Sequence, residues 1–177
     1  MLAAFTPVLA GTFPLGIDLS ESDADIICEV SHHKEFEQIL RLHFGHFPAF
    51  NVQYYTHALL PFSTASFLVV EQYCGEWLHH YAEAESLQAS FPLRVEVFAE
   101  AQSVWRQNAV RHLFIEDRLL SRGTPEQNAF NRRAIRQLKA EGMKTEPAFA
   151  RHFHLEGEPY SALLELASTS DAAFGMR

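Results

Sequence analysis

Two hydrophobic periods divide the chain. Up to about residue 100 the apolar positions come in short, often alternating runs, and after about residue 104 they recur at helical spacing. Pro7 to Phe13 is a short apolar run that predicts a buried strand ending in a Gly-Thr turn. Pro14 to Ser22 reads as a polar connection, and Ala24 to Val30 is the clearest strand, β-branched and alternating. Ser31 offers an N-cap for a helix over about 32–45, with Phe36, Ile39, Leu40 and His43 on one face. Asn51–Thr56, Ser66–Gln72 and Leu93–Phe98 read as further strands, while Gly75 to Ser90 fits a helix or a long hairpin equally well.

The helical part begins with a predicted helix over Val104–Ser121, closed by Gly123. Thr124-Pro125-Glu126-Gln127 then combines an N-cap, a proline at the first helical position and a capping-box glutamine. That helix should reach Glu141 and stop at Gly142, with two short helices near 146–154 and 159–167 and a frayed tail from Ser168. The order predicts an α+β fold: a sheet region over 1–100 and a helical region over 101–177 packed on it as one compact unit.

Composition narrows the class. With 47% hydrophobic and 20% charged residues and 15 phenylalanines, the chain has the balance of a soluble globular domain. No apolar run approaches the roughly 18 residues that span a bilayer, and no signal peptide is read at the N-terminus. Two cysteines are too few for a disulfide framework or a cysteine zinc site. A cytoplasmic setting without membrane attachment is therefore expected. The net charge of −8 is unevenly spread: residues 1–100 hold 3 basic against 13 acidic side chains, and residues 101–151 hold 10 basic against 5 acidic. That division suits a site joining carboxylates, cations and polyphosphate, although a solvated surface gives it equally well.

The candidate chemistry lies where the acidic half is most apolar. Asp23 and Asp25 are two apart on a predicted strand and project from one face. Two neighbouring carboxylates beside Ile26 and Ile27 need a compensating cation, and divalent metal is the natural one. An isolated Asp-x-Asp is more often an exposed turn. The preceding Gly11-Thr12 turn, however, can offer backbone N–H groups and a hydroxyl to phosphate oxygens. Glu96, between Val95 and Val97, supplies a third carboxylate with apolar flanks, and Glu71 is its rival. On the helical side Asn108, Arg111 and His112 share one helix face. Arg132, Arg133, Arg136 and Lys139 form a basic stripe that reads as a solvated face, and Lys144 lies on a loop. The ten histidines show no zinc-site spacing, and neither a serine-hydrolase elbow nor a dinucleotide fingerprint is present.

A Gly-[Gly/Ser] turn, a spacer of this length, an Asp-x-[Asp/Glu] with apolar flanks and a later third carboxylate together resemble nucleotidyltransferases of the polymerase-beta type. More narrowly, Gly11–Asp18, Ser22–Val30, Gln107–His112 and Lys144–Ala150 look like the bacterial family called domain of unknown function 4269, with Thr12 keeping the hydroxyl of the usual serine. The resemblance implies a mixed sheet of the nucleotidyltransferase type. Asp23, Asp25 and Glu96 would be its metal-binding catalytic residues, with Mg2+ or Mn2+ as cofactor. Gly11, Thr12, Asn108, Arg111 and Lys144 would contact a nucleoside triphosphate. The implied reaction moves a nucleoside monophosphate to an acceptor that could be a small molecule, a protein or an RNA end. The alternative is a catalytically silent module of the same fold that binds nucleotide or a partner protein.

Overall fold

The computed structural model describes residues 1–47, 50–56, 63–71 and 93–174. The stretch 75–90, ambiguous in the sequence, lies outside them. The fold is α+β, with a mixed sheet and a C-terminal part that is mostly helical. Five strands, β1 (Val8–Ala10), β2 (Ala24–Glu29), β3 (Asn51–Thr56), β4 (Ser63–Glu71) and β5 (Leu93–Glu100), pair in the order β1-β2-β5-β4-β3. Only β2 and β5 run parallel; the other three pairings are antiparallel. The helices are α1 (His33–Phe44), α2 (Asn108–Leu120), α3 (Pro125–Ala140), α4 (Thr145–His152) and α5 (Pro159–Phe174). No helix among the described residues is long and apolar enough to cross a membrane.

The chain divides into two compact units, one of residues 1–14 and 20–110 and one of residues 15–19 and 111–177. In the first, α1 covers one face of the sheet. Phe36 and Leu40, one helical turn apart, are fully buried against Cys28, Val30, Val97 and Ala99. Phe5 meets the Phe36 ring edge-on at 4.6 Å. Ile39 is only half-buried and His43 is exposed, so the apolar stripe is narrower than the spacing suggests. Ser31 does not cap α1. The Val30 N–H donates to the Glu100 carbonyl at 2.7 Å, which carries strand pairing one residue past β2 and leaves His32 at the cap position without a side-chain cap bond.

The expected single helix over 104–121 is broken at Gln107. Val104–Arg106 forms one tight 3-10 turn, Gln107 is extended (φ −68°, ψ 137°), and α2 starts at Asn108. The buried Gln107 amide Nε2 donates to the Cys28 carbonyl at 2.9 Å and to the Gln102 carbonyl at 3.1 Å. These tertiary bonds outweigh a helix propensity that differs among ordinary residues by only ~0.7 kcal/mol.

The second unit holds a core of Ile115, Leu119, Leu120, Ile135, Ala148, Phe149 and Leu163. Leu15 and Ile17 complete it, so the stretch expected to be a polar connection carries two core side chains. The basic stripe of α3 is correspondingly more than a solvated face: Arg132 Nε donates to the Leu15 carbonyl at 2.9 Å, and Lys139 Nζ to the Ile17 carbonyl at 3.1 Å. A turn and the irregular chain after it thereby have two carbonyls satisfied by cations. α3 itself starts on the expected capping box, with Thr124 and Gln127 bonded reciprocally.

Candidate functional site

Register determines what the acidic positions can do together. In β1, Ala10 pairs with Asp25, and across the parallel pair Asp25 is the direct partner of Glu96. Directly opposed residues project from the same face. Asp25 and Glu96 therefore lie side by side on the sheet face opposite α1, whose own core takes the alternate positions Ile26, Cys28, Val95, Val97 and Ala99. Asp23 stands two residues before Asp25, just outside β2.

The turn after β1 closes on the same row. Gly11 has φ +71°, and a Cβ placed there would fall on Asp25 Oδ2, with the carboxyl carbon at 3.2 Å. Only glycine lets the backbone lie this close to the Asp25 carboxylate. The neighbouring Thr12 hydroxyl oxygen is buried and has no hydrogen-bond partner.

The counter-charge of the row is an arginine that the sequence reading overlooked. Arg94 Nη2 donates to Glu96 Oε1 at 2.8 Å, and its Nε lies 3.6 Å from Asp23 Oδ1. The signal was available, since Arg94 and Glu96 are two apart on one strand and must share a face. Divalent metal is the natural cation expected beside these carboxylates; a guanidinium, itself half-exposed, already touches two of them. Burial raises the Glu96 pKa above the ordinary carboxylate range; Arg94 opposes the rise and Asp23 adds to it. The ligand atoms of Asp23, Asp25 and Glu96 do not form a set within 4.8 Å, a spacing met among the described residues by His112, Glu116 and Glu146.

The remaining candidates sit apart in sequence and in kind. Asn108 is exposed at the first residue of α2, in the first unit. Arg111 and Lys144 belong to the second unit. Lys144 itself occupies the N-cap position of α4 and makes no side-chain cap bond. His112, grouped with Asn108 and Arg111 by helical spacing, is buried in the second unit. Glu71 lies at the end of β4 opposite Leu93, outside the Asp25–Glu96 row.

A family model, domain of unknown function DUF4269, matches residues 1–166. The chain belongs to that family. No curated protein and no solved structure matches it.

Proposed function

We propose that this DUF4269 protein is a metal-dependent nucleotidyltransferase, with Asp23, Asp25 and Glu96 as its acidic centre. The observation that carries the reading is the row Gly11–Asp25–Glu96. A positive-φ glycine turn lies against one carboxylate, whose register partner is a second, and beside the turn a buried threonine hydroxyl lacks a partner. Gly11 and Thr12 would hold the terminal phosphates through backbone N–H and hydroxyl groups. An all-oxygen donor set on one face fits a hard cation such as Mg2+, which accepts one or two carboxylates and completes its shell with phosphate and water. When bound, it would supply charge neutralisation and alignment for attack on the α-phosphate. Glu96, its pKa already raised by burial, is the residue suited to draw the proton from the attacking hydroxyl. The acceptor, whether small molecule, protein or RNA end, is left open by this row.

Arg94 favours a second reading, the catalytically silent module. In it the guanidinium is the permanent counter-ion of Asp23 and Glu96, and nucleotide is bound without metal. The two readings separate in one experiment. Nucleotide affinity is measured for all four triphosphates, with and without Mg2+, in the native chain, in Asp23→Asn/Asp25→Asn and in Arg94→Ala. The enzyme reading expects Mg2+-dependent binding that the double variant loses, and pyrophosphate release once an acceptor is supplied. The silent reading expects Mg2+-independent binding in the native chain, with Mg2+ affinity appearing only in Arg94→Ala. Native chain that binds no triphosphate under either condition removes both.

A further inference from the structure

The second unit contains a polar cluster that the nucleotide site does not use. His112 and Glu116 lie one turn apart on α2, and Glu146 lies in the first turn of α4. One ligand atom from each falls within 4.8 Å of the others. His112 is 7% exposed and Glu116 3%, although both are among the costliest kinds of side chain to bury. Four buried side-chain atoms among the described residues lack a hydrogen-bond partner, and two of them are His112 Nδ1 and Glu116 Oε1. Orphaned groups of this kind call for a specific occupant. A single shared proton does not answer for both as they stand, because the two atoms are not in hydrogen-bonding geometry with each other.

We propose that His112, Glu116 and Glu146 bind a divalent transition-metal cation of the zinc class, with a fourth position open. One imidazole and two carboxylates select this class over magnesium, which prefers oxygen alone. Ligand atoms bound at about 2.0–2.2 Å from one ion lie roughly 3–3.5 Å apart, so the cluster closes by little more than 1 Å around it. An outer shell is also present. The Tyr160 ring stands edge-on to His112 at 5.8 Å, and Glu146 is the largest charge raising the Tyr160 pKa after burial. Glu146 is half-buried and Tyr160 is 41% exposed, so the cluster lies near solvent on that side.

The site is independent of the acidic row in the sheet and is tested separately. Chelator-treated protein is titrated with Co2+, read by its visible absorption band, and then challenged with Zn2+. The native chain is expected to take one Co2+ per molecule, to release it to Zn2+, and to unfold at a higher temperature once loaded. Glu116→Gln and Glu146→Gln each lose at least about tenfold in affinity, whereas Glu156→Gln, at an exposed position, binds as the native chain does. Glu116→Gln is isosteric and Glu146→Gln changes a half-buried position, so both variants keep the fold that the comparison needs. Absence of stoichiometric Co2+ binding overturns the proposal, as does affinity unchanged in both His112-cluster glutamine variants, or affinity lost equally in Glu156→Gln.

Discussion

Gly11→Ala tests the acidic row at its tightest point. At φ +71° the residue sits at the edge of the left-handed region, where alanine costs roughly 1–2 kcal/mol more than glycine. The new Cβ would also fall on Asp25 Oδ2. The strand cannot slide away to relieve this contact, because Ala10, the preceding residue, is the register partner of Asp25. The carboxylate must turn instead, and leaving its rotamer costs of order 0.5–1.5 kcal/mol. The sum is about 2–3 kcal/mol of stability, together with an Asp25 that no longer faces the turn.

Gly142→Ala is the control. Its φ of +93° lies further from the left-handed optimum, so its backbone penalty is at least as large, but a Cβ there meets nothing within 4 Å. Denaturant unfolding of both variants, with Mg2+-dependent triphosphate binding measured alongside, separates the two contributions. Gly11→Ala should lose more stability than Gly142→Ala and should alone lose nucleotide affinity. Adding Asp25→Ala to Gly11→Ala should recover the packing part, as a coupling of about 0.5–1.5 kcal/mol in a double-mutant cycle. The reasoning fails if Gly11→Ala is no worse than Gly142→Ala and still binds nucleotide as the native chain does.

Three further expectations follow from single side chains. Glu116 is pushed up to about 8 by burial, with Glu146 adding to the rise, against 4.5 for an ordinary glutamate. In chelator-treated protein its contribution is therefore full below pH 4.5 and is lost as pH rises through about 8, a decline of at most roughly 4–5 kcal/mol. Glu116→Gln should flatten that window in urea titrations run at several pH values, and an unchanged slope counts against the assignment. The Cys28 thiol is fully buried and pushed up to about 12, so in a Cys74→Ser background a thiol reagent at pH 8 should label it only on unfolding; rapid labelling of folded protein would contradict its burial. Thr124→Ala removes the capping box of α3 and should cost ~1 kcal/mol by thermal or denaturant melting.

Much of the architecture was legible because it is written locally. β2 carries the compact apolar run Ile26-Ile27-Cys28, α3 carries its start signal in four consecutive residues, and the change of period near residue 104 marks the helical part. The misreadings share a cause of the opposite kind. Gln107 breaks a helical pattern because its amide finds the carbonyl of Cys28, 79 residues away, and no periodicity encodes that partner. Leu15 and Ile17 form too short a pair to show a period, and their place in a helical core depends on Arg132 and Lys139 more than 110 residues downstream. His112 and Glu116 have the commonplace i, i+4 spacing; what singles them out is Glu146, which arrives from another helix. Asp25 and Glu96 were legible as types, but their pairing required the register of β2 against β5.

Arg94 changes the electrostatic argument for the proposed site. Asp23, Asp25 and Glu96 bring three carboxyl groups together on the sheet, and Arg94 meets two of them, Asp23 and Glu96. Burial is the chief reason that the Glu96 pKa is raised, with Arg94 opposing the rise and Asp23 adding to it. An arginine that is half in solvent gives up such a pair at small cost, since exposed ion pairs contribute only ~0–1 kcal/mol. On the proposed reading, Arg94 stands by the carboxylates in the free protein and would turn to a phosphate if Mg2+ and nucleotide bind together, a role that bidentate guanidinium geometry suits.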